Sequence, residues 1–202
     1  MIFFRLPYIT SHDILPTIDS EVIQQVNTTS KVFNETSLWD TILRVDESTT
    51  AFKIHGDTAT KEISYEIFRE NSKSIARFIM KNCAGSDIKG SSNMNAIGIL
   101  VRNSYEGVSM SIGAYLSHAT AVIVDIDKTP IERIEMIFQD AGVSSVLVLD
   151  KEEDIVKSLI TSFSIYAWKD IIVEVEDATC PIKPPSNESH PFAIYYTRWV
   201  GI

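Results

Sequence analysis

"AIGILVRNSYEGVSMSIGAYLSHATAVIVDIDKTPIERIEMIFQDAGVSSVLVLD", residues 96–150, decides the fold. "AIGILV" (96–101) is a short, nearly continuous apolar run, the pattern of a strand buried on both faces. Ser104 then caps a helix with Val108, Ile112 and Leu116 at i, i+4 and i+8. "TAVIVDI" reads as a second buried strand. Thr129 and Glu132 spell a T-x-x-E capping box, Pro130 falls at the first helical position, and Ile131, Ile134 and Phe138 form a stripe that Gly142 ends. "VSSVLVLD" gives a third strand, and "KEEDIVKSLI" a short helix with acids at its positive end. Strands and helices alternating at this spacing predict right-handed βαβ units. The expected class is therefore α/β, a partial doubly wound parallel sheet with flanking helices.

Upstream, Ser64 caps "YEIFRENSKSIARFIMKNC", whose Ile67, Phe68, Ile75, Phe78 and Ile79 share one face. "TTAFKIHGD" and "KEIS" predict a hairpin turning at Gly56 and Asp57. Ser37 starts a short helix carrying Leu38, Ile42 and Leu43. Residues 1–34 have no sustained period and read as a loosely ordered extension, which leaves 35–202 as the domain proper. Downstream, "IIVEVED" predicts one more strand, residues 178–191 a Pro/Ser-rich connector, and "FAIYYT" a final buried strand with Tyr195 and Tyr196 as core aromatics.

Composition bounds the partners. Net charge is −9, from 27 acidic and 18 basic residues, with no basic run, so neither nucleic acid nor an anionic membrane is expected. No segment reaches transmembrane length, and "MIFFRLPYIT" is too short and too interrupted for a signal peptide, which points to a cytoplasmic chain. Cys83 and Cys180 lie far apart, and His12, His55, His118 and His190 are scattered, so reduced cysteines and no metal site are expected. There is no catalytic constellation, no GxGxxG after a strand and no GxxxxGK[ST]. Asp125 and Asp127 fall at the carboxyl end of a strand, where open α/β sheets place ligands. An acid there is more often a solvated turn residue or a helix-entry group.

Four blocks in order resemble the adenylate-forming (AMP-binding) superfamily, closest to amino-acid adenylation domains of nonribosomal peptide synthetase-like enzymes. "ISYEIFRENSKSIARFI" is similar to the family's early L-T-Y-x-E-L block. Residues 97–127 resemble its strand–helix–strand written VGI…AILKAGAAYVPLDP, with Ala119 in place of the glycine of KAG and Val124 in place of the proline. "TPIERIEMIFQDAG" is similar to YPxERIxxILxDAG through Pro130, Glu132, Arg133, Ile134, Asp140, Ala141 and Gly142. "PFAIYYT" resembles the strand that leads into the family's phosphate loop, T-S-G-[ST]-T-G-x-P-K-G.

The resemblance covers about residues 36–197 and implies the first portion of an adenylation domain's large N-terminal subdomain. It implies ATP and Mg2+ for the intact enzyme, an amino acid or other carboxylate as substrate, and a phosphopantetheine carrier domain as partner. It gives Thr197 as the remnant of the phosphate loop and no catalytic residue. Arg198, Trp199 and Val200 replace the loop's small residues, and only Gly201 remains of its glycines. The sequence therefore reads as truncated within that motif, without cofactor or independent catalysis. A non-catalytic α/β interaction module and an unrelated Rossmann- or flavodoxin-like nucleotide binder stay open beside it.

Overall fold

Residues 37–55, 59–83, 95–159, 161–173, 181–185 and 191–196 are described by the computed structural model. The expected extension over 1–34, the turn at Gly56 and Asp57, and most of the 178–191 connector lie outside them. Helix α1 (Leu38–Leu43) precedes an antiparallel hairpin of β1 (Thr50–His55) and β2 (Thr60–Ser64). Ser64 ends β2 and begins α2 (Tyr65–Asn82): its backbone is extended, and its hydroxyl accepts the Ile67 N–H at 3.3 Å.

Strand β3 (Asn95–Val101) follows, then α3 (Tyr105–Leu116), β4 (Ala119–Asp125), α4 (Ile131–Asp140) and β5 (Ser145–Val148). A short 3-10 turn (Asp150–Glu152) leads into α5 (Glu153–Leu159), β6 (Ser164–Ala167) and α6 (Trp168–Val173), and β7 (Ala193–Ile194) comes last. Strands β3 to β7 form one parallel sheet in the order β6-β5-β3-β4-β7.

The period of two sorts the core. Ile97, Ile99 and Val101 of β3, with Ala119, Ala121 and Leu147, face Ile75, Phe78 and Ile79 of α2, Met110 and Ala114 of α3, and Ile171 of α6. Ala96 and Leu100, with Val122, Val124, Val146 and Val148, face Ile134, Ile137 and Phe138 of α4 and Val156 of α5. Helices on both faces make the sheet doubly wound, as expected. Gly113 is where α2 and α3 meet: a Cβ there would stand 2.5 Å from Ile75 Cγ2. A third cluster joins Trp39 of α1 to Phe68 and Ala76 of α2 and to Ile112, Tyr115 and Leu116 of α3. Arg69, buried on α2, ties the α1–β1 loop down by donating to the carbonyls of Ile42 and Val45 and pairing with Glu47.

Several expectations are corrected. "IIVEVED" does not open a strand: residues 168–173 are helix α6, and the edge strand is "SIYA", 164–167. The helix is fixed by Asp150, whose carboxylate accepts the Lys169 N–H at 2.7 Å across 19 residues. Its Ile171 fills the core. In α1 the buried side chain is Trp39, while Leu38 and Leu43 are exposed; Ile67 of α2 is exposed too. Tyr195 and Tyr196 are exposed rather than core residues, and among the described residues of this segment Ala193 and Ile194 alone pair with β4.

The capping box does not form. Pro130 has an extended ψ of 147°, and its carbonyl accepts the Ile134 N–H, so Pro130 is itself the N-cap, with no side-chain cap bond. The T-x-x-E pattern sits one residue out of register with the helix. The other end of α4 is as read. Gly142 adopts φ 68°, and the Val143 and Gly142 N–H groups return to Phe138 and Gln139, a Schellman ending.

These caps differ measurably. Ser64→Ala and Ser104→Ala each lose a side-chain bond to a helix N–H and should each lower urea-denaturation stability by about 0.5–2 kcal/mol. Thr129→Ala should change it by less than about 0.5 kcal/mol, as at an ordinary surface position.

Candidate functional site at the carboxyl edge of the sheet

A parallel sheet gathers the carboxyl ends of its strands along one edge. From β3 the chain turns toward β4; from β5 it turns the other way, toward β6. The crevice between β3 and β5 is a topological switch point, where open α/β sheets take ligands. Three turns meet there. Arg102 follows β3, residues 126–128 follow β4, and the 3-10 turn follows β5 closely.

Arg102 joins them. Its Nε donates to Glu152 Oε1 at 2.9 Å, and its Nη1 pairs with Asp127 Oδ2 at 3.0 Å. The Glu152 side chain is only 3% exposed. Asp125, the last residue of β4, accepts the Asp127 N–H at 3.0 Å and pairs with Lys128 at 2.8 Å. Burial pushes the Asp125 carboxyl up, but the Lys128 ammonium and the N–H donors of Asp127 and Lys128 outweigh it, so its pKa falls below the ordinary value. Of the two roles open to Asp125 and Asp127, these bonds are those of a turn. Thr197, the phosphate-loop remnant, lies outside the described residues, as do Arg198, Trp199, Val200 and Gly201.

A second feature runs along α4. Pro130, Glu132, Arg133, Met136, Ile137, Asp140 and Tyr196 line an open groove of about 560 Å3. The Tyr196 hydroxyl donates to Asp140 Oδ2 at 2.6 Å. Burial and that carboxylate push its pKa up to about 12, so the phenol stays protonated and remains a donor. Cys83 is a buried free thiol whose pKa burial raises to about 11, which leaves it unreactive at neutral pH. Among the described residues no three His, Cys, Asp or Glu side chains come together to hold a metal, and no helix is long and apolar enough to cross a membrane.

Arg102 and Glu152 were not singled out from the sequence. Arg102 carried a signal, since it directly follows a buried strand. Glu152 carried none, because "DKEED" reads as a solvated helix start.

No family model matches the sequence, and no curated protein matches it significantly. Solved structures do. An acyl-CoA synthetase from Brucella canis aligns at TM-score 0.61 and 15% identity, over 78% of this chain and 30% of its own. MatB from Rhodopseudomonas palustris aligns at 0.60 and 12%, over 78% of this chain and 31% of its own. A four-domain nonribosomal peptide synthetase bound to AMP and glycine aligns at 0.54 and 19%, over 69% and 10% respectively. The sheet and its helices thus have the fold of the N-terminal subdomain of adenylate-forming enzymes. The chain spans less than a third of the length of each of these relatives.

The Asp125 turn can be checked by pH. A carboxyl whose folded pKa is depressed adds stability above its unfolded pKa and loses it as pH falls through the folded one. Asp125→Asn should therefore cost about 0.5–1 kcal/mol at pH 7, a partly exposed pair being worth no more. The gap between variant and parent in urea midpoints should close once the pH is below the depressed pKa.

Proposed function

We propose that this sequence is the first part of an ATP-dependent carboxylate-activating enzyme of the aminoacyl-adenylate-forming kind, and that these 202 residues alone turn nothing over. The observation that carries the reading is the position of β7. After a long connector the chain returns parallel to β4, with Ala121 opposite Ala193 and Val122 opposite Ile194. That directs the strand resembling the family's phosphate-loop strand toward the same edge as Asp125 and Arg102. The fold shared with acyl-CoA and peptide synthetases supports the same reading.

In such an enzyme the amino-acid carboxylate attacks the α-phosphate of ATP, pyrophosphate leaves, and the acyl group passes to a phosphopantetheine thiol. The described residues provide the scaffold for this and none of its chemistry. Among the described residues no carboxylate cluster fits magnesium, so no step is assigned to it. The one arginine at the switch point is paired to two carboxylates.

A flavodoxin-like binder is disfavoured by topology. The first four parallel strands keep that fold's order, but the fifth lies beside β4 rather than beside β6. An interaction module is favoured by one observation, the open groove walled by Tyr196 with Met136 67% exposed.

Two measurements test the proposal. Calorimetric titration with Mg-ATP and amino-acid-dependent pyrophosphate exchange should both give nothing for the 202-residue chain; saturable micromolar binding or exchange above background would overturn its inactivity. Transcripts sequenced through codon 197 should include a longer product reading S-G-x-x-G after Thr197. If every transcript encodes Arg198 to Ile202 and then stops, the parent activity is excluded.

A further inference from the structure

The carboxyl ends of three adjacent strands are held together by one side chain. Arg102, directly after β3, reaches Glu152 in the turn after β5 and Asp127 in the turn after β4. Its two arms differ. The Glu152 side chain is 3% exposed and that of Asp127 49%. Arg102 itself is 45% exposed, so the inner pair is sheltered from salt at its Glu152 end, while the outer pair is open to screening at both ends.

The inner arm is also incomplete. Glu152 Oε2 is buried and meets no hydrogen-bond donor. Arg102 and, at 3.7 Å, Lys151 both meet the other oxygen, Oε1, so the unmet oxygen of this buried carboxylate carries a desolvation cost that they only partly offset. Releasing Arg102 lets water reach both oxygens, so the closed arrangement contains part of the driving force for its own opening. Little else ties these turns to one another. The Ile126 N–H reaches the Val101 carbonyl at a long 3.4 Å, and the Asp150 carboxylate is committed to the Lys169 N–H at 2.7 Å.

We propose that Arg102 is a latch across the crevice between β3 and β5. Closed, it makes the turns after β3, β4 and β5 move as one body and keeps the switch point shut. Released, it frees the turns after β4 and β5 separately and opens the crevice. Because the Glu152 carboxylate is buried and the Asp127 carboxylate half exposed, salt loosens the latch from the β4 side first. The latch does not depend on the adenylation reading, since it acts on whatever ligand that edge takes, and its test uses no nucleotide.

Amide hydrogen exchange of the whole chain reads the latch directly. In Arg102→Met combined with Glu152→Gln, exchange over 126–129 and 150–153 should rise about tenfold or more, while α2 and α3 keep their protection. Asp127→Asn, at an exposed site that cannot unfold the core, should loosen 126–129 and leave 150–153 unchanged. One molar salt should reproduce that one-armed pattern in the parent chain. The latch is overturned if neither turn changes in the double variant, if α2 and α3 lose protection in step with the turns, or if Asp127→Asn loosens both turns equally.

Discussion

Strand β3 cannot touch water on either face. Six consecutive residues, Ala96–Val101, are buried, and the strand pairs on both sides, with β4 and with β5. A strand of this kind is stable only if helices cover both faces, because each exposed large apolar side chain would forgo roughly 1.5–3 kcal/mol of burial. The rest of the chain answers that requirement. Right-handed crossovers that step one way from β3 and the opposite way from β4 put α3 on one face and α4 on the other. The upstream helix α2 completes the first face, and it lies close to α3 only because position 113 has no side chain. Gly98 does the same on the second face, where a Cβ would come within 3.1 Å of the Phe138 ring.

What could be read from the sequence was what local chemistry decides. Continuous apolar runs gave β3, β4 and β5, because burial on both faces removes alternation. Ser64 and Ser104 were legible as caps, since a hydroxyl just before an apolar period has little else to do. Gly142 was legible because only glycine takes its φ without strain. The failures have a common cause, a distant partner. Helix α6 needs Asp150 to satisfy its first turn, and Ile171 is helical because its place in the core requires it; neither contact can be seen within "WKDIIVEVED". The box at Thr129 failed for a narrower reason. Its spacing was right, but proline at 130 accepted the first helical bond itself and moved the register by one.

The candidate site was less legible than the fold because it is made of long-range pairs. Asp125 and Asp127 were flagged by position alone, and one of them contributes to the cluster at the edge. Glu152 is the informative miss. An acid in a run of five charged residues looks solvated, yet the turn after β5 carries it under the sheet's edge, where the neighbouring Lys151 reaches it only at 3.7 Å and the close partner comes from another strand. Arg102 is that partner, 50 residues away. Electrostatics at the switch point therefore follows from strand order. Placing β5 beside β3 brings the two charges together, and no reading of either segment alone would.

Strand order also explains why β7 is anchored as it is. The strand contributes only two residues to the ladder. Its position is fixed mostly by other contacts: the Phe192 carbonyl accepts the Ala121 N–H at 3.2 Å, the Pro191 carbonyl accepts the Thr120 hydroxyl at 3.2 Å, and the Phe192 ring lies 5.9 Å from that of Tyr115. At its far end, Tyr196 holds Asp140 on α4. A long ladder would resist displacement along its whole length. Side-chain contacts at the two ends instead fix where β7 sits and leave its outer edge unpaired among the described residues. An unpaired edge with two exposed tyrosines is a surface on which further backbone can hydrogen-bond. Among the described residues the sheet is thus most completed at β3, where the fold is decided, and least completed at β7.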